Sequence, residues 1–103
     1  MKGVLTKANG NRVRIDTLYD ERIYADGRNK WDGRDIFAHK CVDGETVYYI
    51  HRWTKQLGKK ERAEILCKEA VQEFIDIHVN DVDELNDVDK FYISAMRRHG
   101  FVV

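Results

Sequence analysis

The sequence predicts an α+β fold, a twisted and mainly antiparallel sheet of five or six strands followed by one or two C-terminal helices packed on one of its faces. Two observations carry the prediction. The first half of the chain holds short runs of alternating apolar and polar residues punctuated by Asn9-Gly10 and Asp43-Gly44, and the second half holds apolar residues at helical spacing. The 103 residues suit one domain, 1–103, made of a β-meander over 1–57 and a short strand followed by helices over 58–103.

Each element has its own reason. Asn-Gly and Asp-Gly accept positive φ at both turn positions, so each predicts a two-residue type I′ hairpin. The first hairpin then sets Val4 and Thr6 beside Val13 and Ile15, with Leu5, Lys7, Arg12 and Arg14 on a wet opposite face. In the second, a turn at Asp43-Gly44 places His39 opposite Tyr48, Phe37 opposite Ile50 and Asp35 opposite Arg52. Side chains alternate across a strand. One face therefore collects Ile36, Ala38, Val42, Val47, Tyr49 and Trp53, the other Phe37, Cys41, Tyr48 and Ile50, and apolar residues on both faces place this hairpin centrally in the sheet. A short strand is expected at Arg22 to Tyr24, followed by a polar loop over 25–34. Residues 62–66 read as a sixth strand with a helix over 68–79 behind it, although Ala63, Leu66, Ala70, Phe74 and Ile77 also fit one long helix over 59–78. A last helix over 83–99 points Leu85, Val88, Phe91, Ala95 and Met96 inward. Arg97, Arg98 and His99 suit its C-terminal dipole, Gly100 suits a left-handed cap, and Phe101 folds back on Met96.

Composition excludes several function classes. With 43% hydrophobic and 35% charged residues, and 18 Lys+Arg against 18 Asp+Glu, the chain is neither disordered nor broadly basic. Two cysteines, Cys41 and Cys67, are too few for a disulfide scaffold, and no signal-peptide or membrane-spanning run is present, so the expected location is the cytoplasm and no membrane partner is expected. The P-loop, dinucleotide, nucleophile-elbow and HExxH patterns are all missing, which disfavours the enzyme classes that carry them. No catalytic residue and no cofactor is assigned.

The run Tyr48-Tyr49-Ile50-His51-Arg52-Trp53, then Gly58, then residues 63–70 (AEILCKEA) and Phe74-Ile75, resembles small uncharacterised bacterial and mobile-element proteins. In these an aromatic strand ending in Trp leads through a Gly turn and a short strand into a Ser-capped, Glu-Ala-rich helix. Leu18-Tyr19-Asp20-Glu21 and Tyr24 extend the likeness. Here Cys67 stands at the Ser cap and Ala70 where a capping-box Glu would help. The resemblance implies a fold and a phage or mobile-element setting, and no activity.

Several constellations could carry chemistry. His39 and Cys41 lie on one side of a strand, two ligands where zinc needs four, and His51 falls on the opposite face of the partner strand, so no metal site is assigned. Cys67 at a helix start is a candidate thiol without a placed base. The run DVDELNDVD over 81–89 lacks the glycine of a calcium loop and reads as helix capping. Charge is the stronger signal. Residues 1–57 hold 11 bases and 8 acids, residues 58–103 hold 7 and 10, and from 61 to 89 ten acids meet two bases. An acidic surface of Glu69, Glu73, Asp76, Asp81, Asp83 and Glu84 suits a basic partner, so the first expectation is a small non-enzymatic protein-binding module. Its sharpest form is a phage or mobile-element inhibitor of a host defence nuclease, anti-CRISPR-like, its carboxylates standing in for nucleic acid. The alternative is a nucleic-acid binder using Arg28, Lys30, Trp31 and Arg34, with Lys7, Arg12 and Arg14 nearby. Tyr48, Tyr49, His51 and Trp53 along the last hairpin strand read first as sheet core, and if a helix covers only one face, the Tyr and Arg groups of the other would suit a protein hot spot or a homodimer.

Overall fold

The computed structural model describes residues 1–26, 30–79 and 87–103, with the backbone alone for Asp26, Asp87, Val88 and Asp89. The chain runs β1 (Lys2–Thr6), β2 (Arg12–Asp16), β3 (Glu21–Asp26), β4 (Asp32–Lys40), β5 (Thr46–Thr54), β6 (Arg62–Leu66), α1 (Lys68–His78) and α2 (Asp87–Arg98). The α+β class and antiparallel pairing hold, and residues 62–66 form the sixth strand. The single sheet does not. β1 and β2 form a two-stranded sheet of their own, and β3-β4-β5-β6 form a four-stranded one with β4 and β5 at its centre.

Two sheets form because β4 and β5 are apolar on both faces and each face needs its own cover. The helices cover one: Ile23, Ile36, Ala38, Tyr48 and Ile50 meet Val71 and Ile75 of α1, Ile93, Ala95 and Met96 of α2, and Phe101 behind it. The β1-β2 hairpin covers the other, laying Val13 and Ile15 on Phe37, Val47 and Tyr49. Each such fully buried apolar side chain contributes roughly 1.5–3 kcal/mol. Tyr48 and Tyr49 are both buried, one in each of these two cores, so this aromatic strand is sheet core rather than a bare face.

Both hairpins are offset by one residue from the two-residue-turn expectation. In each, a type I turn is followed by a single left-handed glycine: Gly10 N donates to Lys7 O and Lys7 N to Asn11 O, while Gly44 N donates to Cys41 O and Cys41 N to Glu45 O. Only the glycines have positive φ, +88° and +90°. Asn9 and Asp43 instead accept a side-chain bond from the amide two residues on, an Asx turn. The extra loop residue shifts the register to Phe37↔Tyr49, Asp35↔His51 and Leu5↔Val13. One step swaps faces. Leu5 therefore joins the core side while Val4 is 44% exposed, and Ile36 and Ala38 share their face with Tyr48 and Ile50.

Cys67 caps α1, its Sγ accepting from Ala70 N at 3.4 Å. The end of α2 forms a Schellman cap, with Phe101 N on Met96 O, Gly100 N on Arg97 O and Gly100 at φ +86°. Phe91, expected inward, is 64% exposed, because Tyr92, Ile93, Ala95 and Met96 form the buried stripe instead. Leu85 and the side chain of Val88 lie outside the described residues. Glu21, at the start of β3, holds the end of α2 by accepting from His99 Nε2 at 2.5 Å and Arg98 Nη1 at 3.1 Å. Burial pushes the Glu21 pKa up, but these two partners outweigh it and hold it below its ordinary value.

Candidate nucleic-acid interface

The sheet has an open end where β4 begins, β5 finishes and β6 begins. There the register sets Arg34 of β4 against Arg52 of β5, and Arg52 against Arg62 of β6. Three arginines thus stand abreast on adjacent strands, on the face that further along carries Ile36, Ile50 and Leu66. Like charges directly opposite one another destabilise a sheet. Among the described contacts, Arg52 Nη1 makes an exposed pair with Glu64 at 3.4 Å and the Arg34 guanidinium lies 5.1 Å from the Phe74 ring. Lys59 and Lys60 join the row from the β5-β6 turn, which bends at Gly58 with φ +81°. Together these five bases line a cleft of about 610 Å³ in which the sole acid among the described lining residues is Asp32. Asp32 accepts from Gln56 Nε2 at 2.6 Å.

Aromatic groups border the row. Trp31 is 50% exposed with the Lys30 ammonium 5.2 Å from its ring, and its carbonyl accepts from Lys55 N at 2.7 Å, which ties the approach to β4 onto the end of β5. Trp53 lies across Gly33, so closely that a Cβ on that glycine would fall 2.3 Å from the ring.

On the other face of the same end, where the hairpin stops at Thr17, a second pocket of about 320 Å³ opens between Phe37 and Trp53. Asp35 and His51, cross-strand neighbours and each 7% exposed, belong to it, with Arg22 and Lys55 at its sides. Asp35 accepts from Trp53 Nε1 at 3.2 Å and pairs with Arg22 Nη1 at 3.5 Å. Burial raises the Asp35 pKa above the usual carboxylate value, and the hydrogen bond from Trp53 with the neighbouring Arg22 and His51 offsets only part of that. His51 Nε2 lies 3.2 Å from Glu61.

The expected site residues are distributed as follows. Arg34 lines the cleft, while Lys30 and Trp31, which lie against each other just before β4, are not among its lining residues. Arg28, Asp81, Asp83 and Glu84 lie outside the described residues. Glu69, Glu73 and Asp76 are exposed along α1, Asp76 accepting from Gln72. Lys7 and Arg12 do not approach Trp31: Lys7 pairs with Glu45 at 2.6 Å at the opposite end of β4, and Arg12 shares a pocket with Cys41 and Asp43 there. That correction follows from hairpin direction, since the tip of β1-β2 lies over the β4-β5 turn. His39 is held by Asp20, which also accepts from Tyr49, rather than paired with Cys41 toward a metal. His51 shares a face with His39, not the opposite one, because the register moved. Among the described residues no three His, Cys, Asp or Glu side chains are grouped to hold a metal ion, and no helix is long and apolar enough to cross a membrane.

Arg52, Lys59, Lys60, Arg62 and Arg22 were not singled out from sequence as site residues, and Asp35 and His51 were not brought together. Their signal is one arginine at matching levels of three strands, in Gly33-Arg34-Asp35, His51-Arg52-Trp53 and Glu61-Arg62-Ala63, and it emerges only once the β4-β5 turn is given three residues. No family model matches the sequence, and neither a curated protein nor a solved structure shows significant similarity to it.

Proposed function

We propose that the protein binds single-stranded nucleic acid at the open end of the sheet, its phosphates along Arg34, Arg52 and Arg62 and an unstacked base against Trp31. The observation that carries this reading is the arginine row. Cross-strand like charges oppose folding, and an external polyanion relieves them. Exposed indole beside lysine is the stacking surface that sequence-tolerant single-strand binding uses. The test is fluorescence anisotropy with short labelled oligonucleotides across a salt series. Affinity should fall steeply with salt, Trp31→Ala should weaken binding, and Arg52→Ala should weaken it about equally for all sequences while reducing the salt slope by about 1. Absence of binding by any oligonucleotide at low salt removes the reading.

The α1 surface supports a second reading, a cationic protein partner such as a nuclease whose channel the helix occupies. Glu69, Glu73 and Asp76 lie at i, i+4 and i+7, and all three are exposed. Reversing these three charges should abolish inhibition of such a nuclease, and unchanged inhibition excludes this surface.

A further inference from the structure

The pocket on the hairpin face lies at the same end of the sheet as the arginine row and shares Trp53 with it, but its chemistry differs. Among the described residues the row sets five bases against one lining acid, Asp32. The pocket is a shallow depression with a carboxylate, a guanidinium and an imidazole in its lining, Trp53 at one side and the buried Phe37 at its base. A phosphate suits it poorly, because Asp35 would face the phosphate charge. A planar group carrying hydrogen-bond donors suits it well.

We infer that this pocket reads a guanine base of the bound strand, Asp35 accepting from the N1–H and N2–H donors and Arg22 donating to O6. The inference rests on the nucleic-acid reading above and adds the base it selects. Guanine alone among the common bases sets two adjacent N–H donors beside a carbonyl. Adenine and cytosine present a ring-nitrogen acceptor next to their amino group, and uracil and thymine carry a single N–H between two carbonyls. Asp35 and Arg22 offer the complement side by side, with the Arg22 Nη1 to Asp35 Oδ2 separation at 3.5 Å. The carboxylate retains free lone-pair directions, since Trp53 Nε1 uses one on Oδ1 at 3.2 Å and each ionised oxygen accepts twice. Burial leaves it short of solvent, so two incoming donors replace hydration lost in folding. Trp53 supplies an aromatic surface beside Asp35 against which a splayed base is held, as in single-strand recognition generally. Lys55, 5.9 Å from the Trp53 ring centroid, stands where the strand's phosphate would leave the pocket.

The experiment compares short uridine strands carrying one central guanosine, adenosine or inosine, read by anisotropy with the intact protein. The guanosine strand should bind about ten-fold more tightly than the adenosine strand, the discrimination expected of one bidentate base contact. Inosine, which lacks only the N2 amino group, should lose several-fold. Asp35→Asn should bring the guanosine-to-adenosine ratio to about one, and the inosine arm stands even if that variant does not fold. Equal binding of all strands overturns the guanine assignment and leaves the arginine row standing, whereas no binding by any strand removes both. A guanosine preference that survives Asp35→Asn also overturns it. So does complete displacement by free GMP at the strand's own concentration, which would make the ligand a mononucleotide.

Discussion

Asp35 is 7% exposed and is held by Trp53 and Arg22, yet burial raises its pKa, so the folded chain binds this proton more tightly than the unfolded one. By linkage, the stability this group contributes is present below the unfolded pKa of about 3.9 and is lost as pH rises through the raised folded value. Ionised Asp35 therefore costs stability at neutral pH. We predict that Asp35→Asn is at least as stable as the parent at pH 7, and that its advantage disappears as pH falls toward about 4. Urea denaturation at the two pH values checks this, and a variant less stable at pH 7 contradicts it. A residue that opposes folding and complements a ligand marks a site in which function has outweighed stability. Sequence offered no such signal for Asp35, because its partners lie 13 to 18 positions away along the chain. Separations of 19 and 29 positions likewise hid the Asp20 carboxylate that receives both His39 and Tyr49.

At the scale of elements, strand and helix positions were legible where local chemistry decides them. Residues 62–66 fit strand and long helix alike by their pattern and fold as the strand, whereas Cys67 occupies the cap and Gly100 with Phe101 closes α2 as its sequence indicates. Register was not, and for one reason in both hairpins. An Asx-Gly pair fits a two-residue type I′ turn, but it fits equally a three-residue loop in which the Asx is right-handed and only the glycine is left-handed. The two alternatives differ by one residue, and one residue exchanges the faces of β5 against β4. This is what concealed the alignment of Arg34, Arg52 and Arg62. The turn type has a direct test. Gly44→Ala should cost about 1–2 kcal/mol, the left-handed penalty of an L-residue, whereas Asp43→Ala should cost only about 0.5–1 kcal/mol for its exposed bond to Glu45 N. Chemical denaturation of the two variants separates the alternatives, since a type I′ turn needs positive φ at both positions.

On the scale of the whole molecule, zero net charge conceals a segregation that folding creates rather than inherits. The acid-rich second half of the chain supplies Lys59, Lys60 and Arg62 to the cleft, while the more basic first half spends Lys7 on Glu45 at the far end. Summing charge along the sequence therefore located the acids of α1 and missed the centre of the basic face. The row itself sets binding against stability. Arg52 has an arginine directly opposite on each side, and among the described residues Glu64, exposed and 3.4 Å away, is the acid paired with it. Removing the middle charge relieves both repulsions, so Arg52→Gln should raise folding stability by about 0.2–1 kcal/mol at low salt. Added salt screens the same repulsion in the parent, so its stability should rise with ionic strength and the gap between parent and variant should narrow. Oligonucleotide affinity should move the other way, falling with salt and falling with Arg52→Gln. Opposite movements of stability and affinity under both perturbations identify the arginine row as a ligand site. If Arg52→Gln instead destabilises the fold at every salt concentration, the row is structural and the anion site must lie elsewhere.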